Sequence, residues 1–418
     1  MSQQTVDDPH ATYNSLFPTH EVGSIRKLNA TVLALQGRPL TDASKKEVDY
    51  WWPRLGLGDP KTLYNLLDQR PKEGTPAFND WEHRVLTERL RFNIKFLEST
   101  GLDFVYTGEA LRREMYEAIA MYVDGIILEK EHVRSFDDRF YKPGVLVANA
   151  TVSRHQSIYS DEYKLAKQHA KHVLRFCLTG PYTVFDWTIK GANSDDFIFE
   201  LVKNVFIPET IEIIKAGAKY ITSDEPAYTT KPSERELYLQ AYQEYYNGIK
   251  EVLHDHDAKF GFHTCFSDSY DTLFEDLPKI PWDYASLEFA NRDLKTPGTS
   301  PTARPAYAQV MPLVENAINE GAKTKYTLGV LEVHAAQQFS PAAPKSSQSD
   351  SGLATVIRDR LIFQGNYLFD KFGKDGLRYI LSGPDCGLRP VADFDTLHFM
   401  LKSLVEGTKA ARTLFKEK

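Results

Sequence analysis

Eight apolar runs of strand length recur along this chain, and no other feature limits its fold as strongly: Thr19 to Ser24, Phe104 to Thr107, Leu174 to Thr179, Tyr220 to Ser223, Phe260 to Thr264, Ala285 to Glu288, Tyr326 to Leu331 and Tyr379 to Ser382. Between most successive runs lies a segment with helical spacing, such as Phe197 to Ala218 or Glu234 to Leu253, so the pattern is β then α, repeated. Eight such units predict an α/β chain closed into a (β/α)8 TIM barrel. A doubly wound open sheet would usually be shorter and carry a glycine-rich first turn. No GxGxxG follows the first run here.

With 418 residues, 42% hydrophobic and 26% charged, the chain has ordinary globular composition and ample apolar material for a large core. A net charge of -7 without a clustered basic stretch argues against a nucleic-acid or anionic-membrane partner and favours small-molecule ligands. Three cysteines, Cys177, Cys265 and Cys386, cannot form a disulfide framework. The polar N-terminus lacks the basic and apolar regions of a signal peptide, and no run reaches membrane-spanning length, so a reduced, cytoplasmic, soluble protein is expected. Residues 1–16 read as a flexible tail and 17–418 as one barrel domain, with a mobile loop over 340–352. Residues 26–98, which carry Trp51-Trp52 and many charges, read as a mainly helical insertion between strands one and two. It offers a cover for the barrel mouth or a homodimer contact, and the plainer expectation is a layer on the barrel's outside.

Barrel enzymes place their chemistry at the C-terminal ends of the strands, and the unusual polar residues of this chain collect there. Strand one runs into Gly23-Ser24, strand two into Gly108-Glu109, strand three into Gly180-Pro181 and strand four into Asp224-Glu225-Pro226. Strand five delivers His263 and Cys265, strand six ends at Glu288, strand seven leads to Glu332 and His334, and strand eight to Asp385 and Cys386. Two soft thiolates, one imidazole and one carboxylate, from Cys265, Cys386, His263 and Glu288, make a tetrahedral donor set that suits zinc. His263 and Cys265 alone would read as a satisfied core histidine and a small buried hydrophobe; the four together favour metal.

Taken in order, Gly23-Ser24, Gly108-Glu109, Leu178-Thr179-Gly180-Pro181, Asp224-Glu225-Pro226-Ala227, His263-Thr264-Cys265-Phe266-Ser267-Asp268, Glu288, His334 and Pro384-Asp385-Cys386-Gly387-Leu388 resemble the catalytic C-terminal barrel of cobalamin-independent methionine synthase, including its short single-barrel relatives. The resemblance runs from about residue 18 to 410. It implies a zinc-dependent methyltransferase that makes methionine from homocysteine and 5-methyltetrahydrofolate. His263, Cys265, Glu288 and Cys386 would hold Zn2+, which makes a bound thiol a nucleophilic thiolate. Gly23 and Ser24 would take the amino acid's carboxylate, and Glu109 with Asp224 its ammonium group. The plainer reading of Glu109 and Asp224 is helix capping. His334 would protonate the departing nitrogen of a methylated pterin, with Glu332 to orient it.

For the donor, the resemblance puts Trp187 beneath the pterin ring, a role that an indole face suits; packing is the plainer role. Two departures bear on the folate. The resemblance does not extend to the N-terminal barrel of the long enzymes, and Thr230 stands where they carry an acidic residue after Asp-Glu-Pro-Ala. A methyl-corrinoid protein is therefore an alternative donor. Two further alternatives are a related zinc thiol alkyltransferase with another thiol or an epoxide, and a non-catalytic zinc-stabilised barrel. A uroporphyrinogen-decarboxylase-like barrel does not need the cysteine pair.

Overall fold

The computed structural model describes residues 8–129, 131–136, 139–191, 195–265, 270–289, 307–333 and 352–416. His334, and residues 340–351 of the loop expected over 340–352, lie outside them. Phe176–Thr179, Tyr220–Asp224, Lys259–Thr264, Tyr284–Leu287 and Lys325–Leu328 form one parallel sheet in chain order. Phe104–Val105 pairs in parallel with Val173–Leu174. Further links include the single parallel bridges Tyr326 to Ile380 and Thr19 to Ser382 and a 2.9 Å bond from the Phe104 amide to the Thr19 carbonyl. The pairings therefore return to the first segment, in the order expected of a (β/α)8 barrel. Segments one and eight take part through bridges rather than ladders.

These segments are strands because they are buried on both faces; every residue of Phe176–Thr179 and Tyr284–Leu287 is buried, as parallel sheets covered by helices require. The barrel interior near the strand starts is filled by Tyr13, Phe104, Val173, Tyr220, Tyr284 and Leu381. Above them the Thr222 hydroxyl bonds the Tyr106 and Tyr284 hydroxyls at 3.0 and 3.1 Å. The buried Arg175 guanidinium lies 4.0 Å from the centroid of the Tyr284 ring. Gly261 makes room for that ring, since a Cβ there would fall 1.8 Å from it.

The tail expected over residues 1–16 is shorter than that. Asp8 caps a helix over Pro9–Asn14, and this helix seals the barrel at the strand starts. The Tyr13 hydroxyl donates to the Asp283 carbonyl at 2.8 Å, Lys325 Nζ donates to the Tyr13 carbonyl at 2.6 Å, and the Tyr220 hydroxyl donates to the Pro9 carbonyl at 2.7 Å. An aromatic ring and three such bonds hold a segment whose composition alone looks loose.

The region 26–98 is helical, with helices Asn29–Leu35, Asp42–Arg54, Pro60–Leu67 and Pro76–Thr100. The last of these is the barrel's own first helix. It starts at a Thr75 cap with Pro76 in its first turn, and it stops at Gly101, left-handed at φ 86°, as a helix C-terminus favours. Phe92 and Phe96 pack on Phe394 with ring centroids 4.9 Å apart, and Lys95 Nζ bonds the His169 carbonyl. The three shorter helices lie over this outer layer, with Trp51 against Phe96 and Trp52 against Phe92.

One element has no counterpart in the sequence reading. Three short antiparallel pairings, Val123–Asp124 with Ser153–Arg154, Ile126–Leu128 with Gly144–Leu146, and Arg134–Phe136 with Arg139–Tyr141, build a hairpin arm after the second strand. A bridge from Val145 to Ile189 ties it to the chain just beyond Trp187.

Candidate active site

The barrel register determines which side chains meet at the C-terminal ends. Asp224 ends its strand with Thr179 beside it on one side and His263 on the other. His263 in turn pairs with Ser286, and Thr264 with Leu287, so Cys265 and Glu288 leave adjacent strand ends. Pro384 bridges Leu331, and the Asp385 amide donates to the Leu331 carbonyl at 3.0 Å, which brings Cys386 onto the same rim. Ser24 bridges Gly108, so Gly23 and Glu109 face one another across the first two strands.

His263, Cys265 and Cys386 offer ligand atoms that all lie within 4.8 Å of one another, and all three residues are buried. Donors of a tetrahedral zinc site, with bonds of about 2.0–2.3 Å, stand roughly 3.5–4 Å apart. A small contraction would close this set on a metal ion. His263 Nδ1 lies 2.9 Å from the Ser286 carbonyl. A carbonyl only accepts, so Nδ1 carries the proton and Nε2 keeps its lone pair for a metal, a common device for orienting ligating histidines. Burial alone would push this imidazole down; the Cys386 side chain and the Asp224 charge outweigh it and hold it above its ordinary value. Glu288 is buried at the next strand end but stands outside the converging trio. Its charge reaches Asp385, whose carboxyl is pushed far up by burial, then by Glu332 and Glu288.

Glu109, Cys177 and Asp224 form a second group with ligand atoms within 4.8 Å of one another. Glu109 is aimed by an unusual backbone: Gly108 and Glu109 are both left-handed, at φ 65° and 52°. A Cβ at Gly108 would fall 2.6 Å from Asn93 Nδ2 and 2.7 Å from Ile25. A glutamate held at positive φ is a strain that surrounding structure must impose. Arg112 supports this group: its Nη1 lies 3.6 Å from Glu109, its Nε 3.1 Å from Glu162, and its Nη2 donates to the Cys177 carbonyl at 2.6 Å. The capping alternatives do not apply. No helix begins at Glu109; the next one is Glu117–Ala120, where Glu114 accepts from the Tyr116 and Glu117 amides. After Asp224 the chain enters a short 3-10 turn, and an α-helix starts only at Arg235.

A narrow cleft is lined by Gly23, Ser24, Asp224, His263, Cys265 and Cys386, so the first group meets the second there through Asp224. The Gly23 amide is already committed, since it donates to Glu21 Oε2, which leaves Ser24 to face an incoming group. Glu21 itself is a residue that sequence reasoning missed. It is fully buried, its Oε1 has no hydrogen-bond partner among the described residues, and burial pushes its carboxyl up to about 8, with Glu109 adding to the rise. A glutamate inside a run of strand residues was the available signal. Cys177, expected as packing, turns its sulfur toward Gly23: a Cβ there would fall 3.2 Å from Sγ.

Glu225 is structural. Its carboxylate accepts from the Tyr182 amide at 2.9 Å, the Thr183 amide at 2.7 Å and hydroxyl at 2.6 Å, and the Tyr242 hydroxyl. It thereby fixes the start of the helix Pro181–Trp187. Trp187, at the end of that helix, is 2% exposed and lies on the Tyr141 ring of the hairpin arm, with centroids 4.4 Å apart and 20° between planes. One indole face is thus covered by this protein's own tyrosine.

The fold and site together define a parallel (β/α)8 barrel whose strand ends present a thiol-and-imidazole group able to hold a metal ion, next to a second group of two carboxylates and a thiol. The cobalamin-independent synthase catalytic domain matches residues 70–297, more than half of the chain, and the chain belongs to that family; it is a methyltransferase. It is 29% identical over 340 residues to a methionine synthase of Thermoplasma volcanium, covering 79% of this chain and 89% of that one. A 5-methyltetrahydropteroyltriglutamate–homocysteine methyltransferase of Actinobacillus pleuropneumoniae is 26% identical over 234 residues, 54% of this chain and 30% of that protein. Among solved structures, a B12-independent methionine synthase from a Shewanella species, in complex with selenomethionine, superposes with a TM-score of 0.67 at 17% identity, covering 97% of this chain and all of that one. This last likeness speaks to the fold.

Proposed function

We propose that this protein transfers a methyl group to the thiol of homocysteine to form methionine, with zinc as its metal and a 5-methyltetrahydrofolate as donor. The observation that carries the reading is a juxtaposition: Ser24 and Asp224 line the same narrow cleft as His263, Cys265 and Cys386. Glu109 and Asp224 would take the ammonium group, since two carboxylates beside one cation match its charge and its donors. Ser24 would take the carboxylate. With its head held there, the two-carbon arm of homocysteine extends its sulfur toward His263 and the two cysteines, with Glu288 supplying the fourth donor. Zinc bound there would supply acidity, lowering the pKa of a coordinated thiol so that it reacts as thiolate near neutral pH. His263 contributes a fixed lone pair, held by the Ser286 carbonyl. Trp187, 2% exposed and covered by Tyr141, would stack the donor's pterin once that ring moves aside, and His334 would protonate the leaving nitrogen. Three cysteines outside any disulfide fit a cytoplasmic setting, where thiols stay reduced.

The test is methionine formation by the purified, zinc-loaded protein with homocysteine and each of three donors: methyltetrahydrofolate monoglutamate, its triglutamate, and methylcobalamin. Turnover with either folate is the expected result. Turnover with methylcobalamin alone would remove the pterin roles of Trp187 and His334. No product with any donor at full zinc occupancy would overturn the reading.

A further inference from the structure

We propose that Glu109, Cys177 and Asp224 form a second site, for a thiophilic divalent cation of the Zn2+ or Cd2+ kind, and that a cation there and the substrate's ammonium group exclude one another. The exclusion rests on the function proposed above; the site itself does not.

The three ligand atoms lie within 4.8 Å of one another, one sulfur and two carboxylates, with Glu109 and Asp224 at strand ends and Cys177 inside the strand between them. That is a borderline-soft donor set with room for a fourth ligand, the chemistry that zinc and cadmium prefer over magnesium or calcium. The second observation is Glu21. Its carboxyl is fully buried and its Oε1 has no hydrogen-bond partner among the described residues. Burial, then Asp224, Glu109 and last Glu21 push the Cys177 thiol up, with Arg112 opposing, so three carboxyl groups bear on one thiol. One cation already reaches this group: Arg112 Nη1 lies 3.6 Å from Glu109, while its other nitrogens meet Glu162 and the Cys177 carbonyl, so a single guanidinium faces the carboxylates of Glu109 and Asp224 together. The open side of the group faces Gly23, where the missing Cβ leaves space 3.2 Å from Cys177 Sγ and 3.7 Å from Glu109 Oε1. A side chain at position 23 would close that space.

The group is distinct from the His263 trio but adjoins it, since Asp224 and His263 are register partners. The two sites therefore differ in ligands and differ in what should displace a cation from them. The Cys177 site shares its carboxylates with the amino-acid head group. The His263 site does not.

The probe is Cd2+, added to the chelator-treated full chain and followed by the thiolate-to-cadmium absorption band, with no donor or amino acid present. The wild-type chain should take up two equivalents. Cys177→Ala should take up one, or bind the second at least tenfold more weakly, and Glu109→Gln should weaken the same equivalent. Cys386→Ala should lose the other. Unchanged circular dichroism identifies variants that are folded, and Cys177→Ser serves if the alanine variant is not. Methionine, which has the ammonium group but no free thiol, should displace the cadmium that Cys177 holds and leave the other in place. A single equivalent in the wild-type chain, or two in folded Cys177→Ala, would overturn the site. Failure of methionine to displace cadmium would overturn the exclusion. The cadmium count requires no methyl transfer, so a chain that makes no methionine yet loses one equivalent in Cys177→Ala would sink the proposed function and leave the site standing.

Discussion

The Asp224 carboxylate is where two chemistries meet: it belongs to the group with Glu109 and Cys177, yet it also raises the pKa of His263 on the neighbouring strand. Substitution separates substrate binding from metal binding. Asp224→Asn keeps the side-chain shape and removes the charge, so it should weaken an ion pair with the substrate's ammonium while leaving the His263 trio intact. A charged hydrogen bond contributes roughly 1.5–3 kcal/mol, which predicts a KM for homocysteine raised about tenfold or more, with zinc content at the His263 group preserved. Cys265→Ser should do the reverse, dropping bound zinc and kcat together. Steady-state kinetics beside metal analysis reads both. An Asp224→Asn enzyme with unchanged KM and a collapsed kcat would show that Asp224 acts on the chemistry rather than on the substrate's head group.

At the scale of elements, Gly180 and Glu225 form a lock between the third and fourth strands. Gly180 has an ordinary φ of −79°, so it is required for space rather than for conformation: a Cβ would fall 2.2 Å from the Glu225 carboxyl. Gly180→Ala must push that carboxylate off the Tyr182 and Thr183 amides, and overpacking of this kind costs about 1–3 kcal/mol. Denaturant titration should show that loss, and the shifted Pro181–Trp187 helix should weaken donor binding as well. A variant within about 0.5 kcal/mol of the parent would mean that the lock yields freely. This scale also explains what the sequence made legible. Fully buried parallel strands leave uninterrupted apolar runs, which is why all eight segments can be read, and their polar ends point to Asp224, His263 and Cys386. The hairpin arm has strands of only two or three residues, too short for any periodicity, and Tyr141 reaches Trp187 only through that arm. Glu109's left-handed backbone and the orphaned oxygen of Glu21 arise from packing against Asn93, Ile25 and Gly23, contacts that local sequence does not encode. Glu288, placed with the zinc ligands by residue type and by resemblance, is buried at the next strand end, outside the set of three whose ligand atoms lie within 4.8 Å of one another.

The whole molecule pays for its polar interior in pH dependence. Glu21 and Glu225 are fully buried, and burial pushes their carboxyls up from the ordinary 4.5 to about 8 and about 7, against the pull of the amides and hydroxyls that bond them. Each group binds its proton more tightly in the folded chain than in the unfolded one. Their contribution to stability is therefore complete below about pH 4.5 and is lost as pH rises through 7 to 8. Lys27 works in the opposite sense: burial lowers it to about 7, so it disfavours folding at low pH and relaxes as pH climbs from 7 toward its unfolded value. A single stability curve mixes these effects, but the difference between wild type and Glu21→Gln isolates the carboxyl, because Lys27 is common to both. Up to about 1.4 kcal/mol accrues per pH unit between the two pKa values, so between pH 5.5 and 8 the wild type should lose roughly 2–3 kcal/mol more than the glutamine variant. Thermal unfolding at a series of pH values measures it. Parallel curves for the two proteins would mean that Glu21 stays ionised in the barrel, with Arg175 rather than a proton compensating its charge.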